Sequence, residues 1–273
     1  MARSQTTLAL AFSGLTLALV TSGCVVPNAV NGRTPANAGA TDADGQSYIR
    51  LAEAARESGD LAGAVRFYQK ALERNPKQPD VMIALADVDL AGGAVDDANA
   101  IYAHVLELDA RRADAHFGLG RAFLMTHKPN QAEVEFSAAT ALEPRNVKFL
   151  NDDGVALDSA GRHKEAQAVY ETALAVAPDD NVVRNNLGLS LALSGAYDAA
   201  VAQLSMLTLE RGATPRMRQN LALALGLKGD ATNAARILRA DLGEDAISTN
   251  LHYYEAVRGI GAASSTSIVS STR

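Results

Sequence analysis

A 34-residue period repeats through residues 45–238, and no other property of the chain restricts its fold as much. The most complete copy is residues 113–146, ADAHFGLGRAFLMTHKPNQAEVEFSAATALEPRN. The position of Ala132 recurs as Ala64, Ala98, Ala166, Ala200 and Ala234, and that of Gly120 as Ala52, Ala86, Gly154, Gly188 and Ala222. All of these side chains are small, which lets two antiparallel helices approach closely. Beside that contact Leu119, Phe123 and Phe136 fill space, and the position of Phe136 recurs as Tyr68, Tyr102, Tyr170, Leu204 and Leu238. Pro144 stops the second helix, with Pro76, Ala110, Pro178 and Gly212 at the equivalent positions. Gly59, Gly93, Gly161, Gly195 and Gly229 stand where the first helix must end in a left-handed residue. The third copy carries His127 there, and Pro129 opens its second helix. Unrelated amphipathic helices would not keep the same small residues at one phase, so the period predicts a solenoid of stacked helix pairs.

This pattern resembles the tetratricopeptide repeat. The implied fold is all-α, a superhelix of about six helix-turn-helix repeats with a C-terminal capping helix, occupying residues 45–258. Copies start at Gly45, Pro79, Ala113, Val147, Asn181 and Pro215, and the first places its helices near 46–58 and 61–74. The sixth copy degrades after Leu238, since Asp241 stands where a small or apolar residue is expected and residues 242–245 interrupt it. Residues 247–258 read as the cap, which a repeat array needs because its last unit otherwise leaves an apolar face in water. Residues 259–273, rich in Gly, Ala, Ser and Thr, read as a disordered tail. The chain is 48% hydrophobic and 5% aromatic with no Trp, so alanine must make much of the helix contact. A net charge of −6 without a long basic run sets nucleic acid aside as a partner.

Residues 1–23 have the pattern of a secretory signal. Arg3 lies in a short polar start, an apolar run covers residues 8–20, and Thr21, Ser22 and Gly23 are small. That run is shorter than the roughly 20 residues that span a bilayer, which disfavours a transmembrane anchor. Cys24 follows directly and is the single cysteine of the chain, so no intramolecular disulfide is possible. The segment resembles the lipobox of bacterial lipoproteins, with Thr21 departing from the Leu common at that position. The resemblance implies that Cys24 is acylated and becomes the new N-terminus. Residues 25–44, VVPNAVNGRTPANAGATDAD, show no helical or strand period and read as a flexible tether with a reach of about 25 Å.

The first helices of the repeats should line a concave face, where repeat proteins commonly bind. At the phases that the repeat family directs into the groove stand Asn151, Asp152 and Asp158 in the fourth copy, Asn185 and Asn186 in the fifth, and Arg216, Gln219 and Asn220 in the sixth. Carboxamides both donate and accept, so such a ladder can pair with the backbone of an extended peptide whatever its side chains. The alternative is that these asparagines are solvated helix residues. The paired basic residues with which some repeat domains grip a C-terminal carboxylate are not expected here. Asp153 stands where the other copies have Leu51, Leu85, Leu119, Leu187 and Leu221; either it reaches water through a local shift, or it is buried and bonded, with a raised pKa.

No catalytic constellation is legible. The histidines, His104, His116, His127, His163 and His252, are scattered, and neither an H-E-x-x-H motif nor a P-loop occurs. The expectation is a noncatalytic protein without metal or cofactor. Tyr253 and Tyr254 read as packing of the cap, with a binding role as the alternative.

Residues 218–259, RQNLALALGLKGDATNAARILRADLGEDAISTNLHYYEAVRG, resemble the end of the TadD family of Flp (Tad) pilus assembly lipoproteins, and residues 153–180 resemble its central repeats. The resemblance implies a pilotin-like adaptor that helps a secretin assemble or reach the outer membrane. It implies protein or peptide partners, and a lipid anchor, in an outer membrane facing the periplasm. The alternative is a general cell-envelope adaptor that recruits cell-wall enzymes or outer-membrane assembly factors.

Overall fold

The computed structural model describes residues 42–210 and 212–270. The signal segment, Cys24 and the tether as far as residue 41 lie outside the described residues. Thirteen helices occur among those described: α1 (Asp42–Glu57), α2 (Leu61–Arg74), α3 (Pro79–Ala91), α4 (Val95–Leu108), α5 (Ala113–Met125), α6 (Pro129–Leu142), α7 (Val147–Ser159), α8 (His163–Val176), α9 (Asn181–Leu193), α10 (Tyr197–Leu209), α11 (Pro215–Lys228), α12 (Ala231–Leu238) and α13 (Glu244–Ser270). Each helix packs against the next in sequence, and from α3 to α11 the odd-numbered helices also stack on one another. That is the connectivity of a tetratricopeptide-repeat solenoid.

The period explains the packing directly. All six alanines of the Ala132 register have no solvent exposure, and neither do Ala52, Ala86 and Ala222 in the register of Gly120. Where glycine replaces them, a ring or a branched side chain uses the space. A Cβ on Gly120 would lie 2.6 Å from the Phe136 ring, and one on Gly154 would strike the Tyr170 ring. The turns follow the same logic. The five turn glycines have φ between 77° and 99°, and His127 takes the equivalent conformation at φ 57°. Asp60, Asp180 and Asp230 each accept a backbone N–H at a helix start.

Ala166→Leu should therefore overpack the contact between α7 and α8 and lower stability by about 1–3 kcal/mol. Denaturant unfolding of the variant measures it; an unchanged midpoint would mean that Ala166 is not in that contact.

Both ends differ from the sequence reading. Helix α1 starts at Asp42, not near Gln46, with Asp44 in its first turn, where negative charge suits the helix dipole. Helix α13 is helical from Glu244 to Ser270, beyond both the 247–258 cap and the disordered tail expected from Gly259. Extending a nucleated helix adds one hydrogen bond per residue and escapes the cost of a new nucleus, which composition alone does not register. Ile247 and Tyr254 of α13 are buried against the sixth repeat, and Tyr254 occupies the space beside Gly226. Tyr253 is half-exposed, so the two neighbouring tyrosines divide between cap and surface. Asp241, out of place by the repeat pattern, accepts a two-pronged interaction from Arg218, with the Nε bond at 2.7 Å. That guanidinium holds its carboxyl below the usual range.

Candidate groove site

The amide ladder exists, but it is bonded to itself. Asn220 Nδ2 donates to Asn185 Oδ1 at 3.0 Å, Asn185 Nδ2 to Asn186 Oδ1 at 3.4 Å, and Asn186 Nδ2 to Asn151 Oδ1 at 2.8 Å. Asn151 Nδ2 completes the relay on Asp152 Oδ1 at 2.9 Å. Four hydrogen bonds thus run through α11, α9 and α7, crossing two seams between repeats. The matching phase of these residues is what makes the relay possible, since stacked helices bring equal registers side by side.

The same relay changes what a ligand can reach. Asn185 is 4% exposed and Asn186 is 8% exposed, so these two are buried members of the relay and not free contacts. Asn151, Asp152, Gln219 and Asn220 are half-buried, and Arg216 is exposed at the start of α11. A carboxamide has two N–H donors and two acceptor sites, so Asn151 and Asn220 keep a second N–H beyond the one each gives to the relay. Burial pushes the Asp152 carboxyl up, opposed by the Asn151 hydrogen bond and by the charges of Lys148 and Arg121.

Asp158 does not face the groove as a free ligand. Its Oδ1 accepts from Ser190 Oγ at 2.6 Å and lies 2.9 Å from His163 Nδ1, and its Oδ2 accepts from the Tyr170 hydroxyl at 3.1 Å. One carboxylate therefore ties α7, α8 and α9 together. Its internal partners come from other helices, which a reading of one repeat position at a time does not reveal. Asp87 makes a second junction of the same kind, accepting from Tyr102 at 2.8 Å and from Arg121 at 3.2 Å. Both tyrosine hydroxyls have pKa values raised chiefly by burial and then by the neighbouring aspartate.

One cluster was missed by the sequence reading. Phe117 stacks on Phe149 with ring centroids 4.7 Å apart, and Lys148 Nζ lies 4.5 Å from the Phe117 centroid. The Arg121 guanidinium approaches the same ring at 5.9 Å. Lys148 and Arg121 thus approach one ring from different copies; the sequence signal is that both stand at phases that the repeat family directs into the groove. For Asp153 the second reading holds in burial but not in bonding: it is 7% exposed, and its carboxyl is pushed up to about 6, first by burial and then by the charge of Glu133, against an opposing effect of Arg162. Its Oδ1 has no hydrogen-bond partner among the described residues.

The stacked helix pairs define the fold of tetratricopeptide-repeat proteins, a class that acts as a scaffold for protein and peptide partners. Two family models described as tetratricopeptide repeat match residues 55–109 and 151–211. No curated protein matches the sequence. Among solved structures, MamA is 25% identical with a TM-score of 0.54, over 60% of this chain and 90% of MamA. YrrB, described as a TPR protein with an unusual peptide-binding site, is 21% identical with a TM-score of 0.56, over 69% of this chain and 97% of its own. Pseudomonas aeruginosa pilF is 19% identical with a TM-score of 0.64, over 79% of this chain and 98% of its own. The last two likenesses carry the fold alone.

Proposed function

We propose that this protein is a lipid-anchored, noncatalytic adaptor of Flp/Tad pilus assembly that acts like a pilotin. Cys24 holds it at the outer membrane facing the periplasm, the tether gives it reach, and the groove of repeats four to six receives an extended segment of a secretin or another assembly protein. The observation that carries the groove reading is the continuous amide relay from Asn220 to Asn151, whose end members keep donors for a peptide backbone. The pilus assignment rests on the resemblance of residues 218–259 to the TadD family.

The groove variant is Asn151→Ala with Asn220→Ala; because it also removes relay partners of the buried Asn186 and Asn185, an unchanged helical content and unfolding midpoint are its control. In the native host, this variant and Cys24→Ser should both reduce secretin multimers in the outer-membrane fraction and surface pili. For a purified partner segment, each lost amide contact should weaken binding by about tenfold, corresponding to roughly 1.4 kcal/mol. Normal multimers without pili would move the role to a later assembly step. Normal amounts of both in the two variants would reject the pilotin reading.

A further inference from the structure

Asp153 breaks the register that joins each repeat to the one before it. Leu85 is buried in a cluster with Tyr68 and Ala71 of the first repeat, and Leu119 in a cluster with Tyr102 and Val105 of the second. Leu51 of the first repeat has the same register and is 47% exposed, as expected of a position that looks toward the preceding unit. By that register Asp153 lies on the seam between the third and fourth repeats, buried and with an orphaned oxygen.

We propose that this seam is a proton-operated joint, in which a neutral Asp153 couples the two halves of the solenoid and an ionised Asp153 loosens them. In a repeat array, coupling is a sum of nearest-neighbour interfaces, so a burden at one seam acts there and not throughout the chain. The Phe117–Phe149 stack also crosses this seam and keeps the halves attached when Asp153 is charged.

The groups around Asp153 set the direction. From α6, Glu133 opposes its ionisation, while Arg162, in the turn before α8, favours it. That favour is divided, because Arg162 also pairs with Glu133 at 3.2 Å and with Glu165 at 2.7 Å. From α8 the neighbour is Tyr170, whose own ionisation is opposed by Asp152, Asp153 and Asp158. Arg121 on α5 acts on the adjacent Asp152, and α9 brings the neutral Asn186 and Ser190 to α7. A carboxyl raised on folding loads the native state above its folded pKa and is relieved as pH falls toward the unfolded value. For Asp153 the window lies between 3.8 and about 6.

Native-state amide hydrogen exchange on the full chain tests the joint by comparing wild type with Asp153→Asn at pH 7.5 and pH 4.5. The ratio of opening constants for α6 and α7 amides should be larger at pH 7.5 by about 30-fold, as a pKa difference of roughly two units requires. Asp153→Leu, which restores the register of the other repeats, should open least and lose this pH dependence. Glu133→Gln should move the midpoint of the wild-type transition to lower pH. A ratio that is the same at both pH values, or that changes equally in all repeats, would overturn the joint. So would a midpoint that Glu133→Gln leaves in place.

Discussion

Phe136→Ala is expected to destabilise the array by about 3–5 kcal/mol, measured as the shift in denaturant unfolding. Phe136 has no solvent exposure, lies against the bare backbone of Gly120 and meets the Phe117 ring at a centroid distance of 5.5 Å. Truncation removes the transfer energy of a full ring and leaves a cavity between α5 and α6. Those helices are already held close by Gly120 and Ala132, so they can collapse into it only in part. Phe136→Leu supplies the control. Leucine occupies this register in the fifth and sixth repeats, as Leu204 and Leu238, and both are buried there. The expected loss for Phe136→Leu is below about 1.5 kcal/mol. If the two variants unfold alike, Phe136 is not the filler of this contact.

Asp158→Ala should cost about 2–4 kcal/mol, chiefly through an unpaired donor. Ser190 and Tyr170 are almost completely buried, and both donate to Asp158. Removing the carboxylate strands the Tyr170 hydroxyl at roughly 1–3 kcal/mol and takes from Ser190 the shorter of its two acceptors, worth about 1 kcal/mol, leaving it the His163 carbonyl at 3.2 Å. Ser190→Ala removes a donor and leaves the carboxylate its bonds to Tyr170 and His163, so its effect should be much smaller, about 1 kcal/mol. The order of the two variants in chemical unfolding is the check. Equal losses would show that Asp158 does not unite α7, α8 and α9.

The period revealed the helix pairs because each of its signals acts within a few residues. A left-handed turn needs Gly, as at Gly93 with φ 83°, and a close helix contact needs a small residue, as at Ala98 with no exposure. The common phase of Asn151, Asn186, Asn185 and Asn220 was equally legible, and the structure brings them into one row. What the phases left open was whether each amide faces a ligand or another amide. That depends on the axial step between repeats, which sets carboxamides of successive helices at hydrogen-bond distance. The extent of α13 is not legible for a related reason, as propensity describes each residue alone while helix growth depends on the turn already formed.

Sequence by itself determined the all-α class, the helix-pair unit, the turn positions and the small-residue contacts, because these follow from backbone sterics and side-chain volume at fixed spacing. It also marked Asp153 and Asp241 as residues out of pattern. Only the tertiary structure decided what each does. Arg218 reaches Asp241 from another helix and satisfies it, whereas packing brings Asp153 the charge of Glu133 and leaves one oxygen without a partner. A carboxylate's state is set by the charges and donors within a few ångströms, and those come from residues far away in the chain.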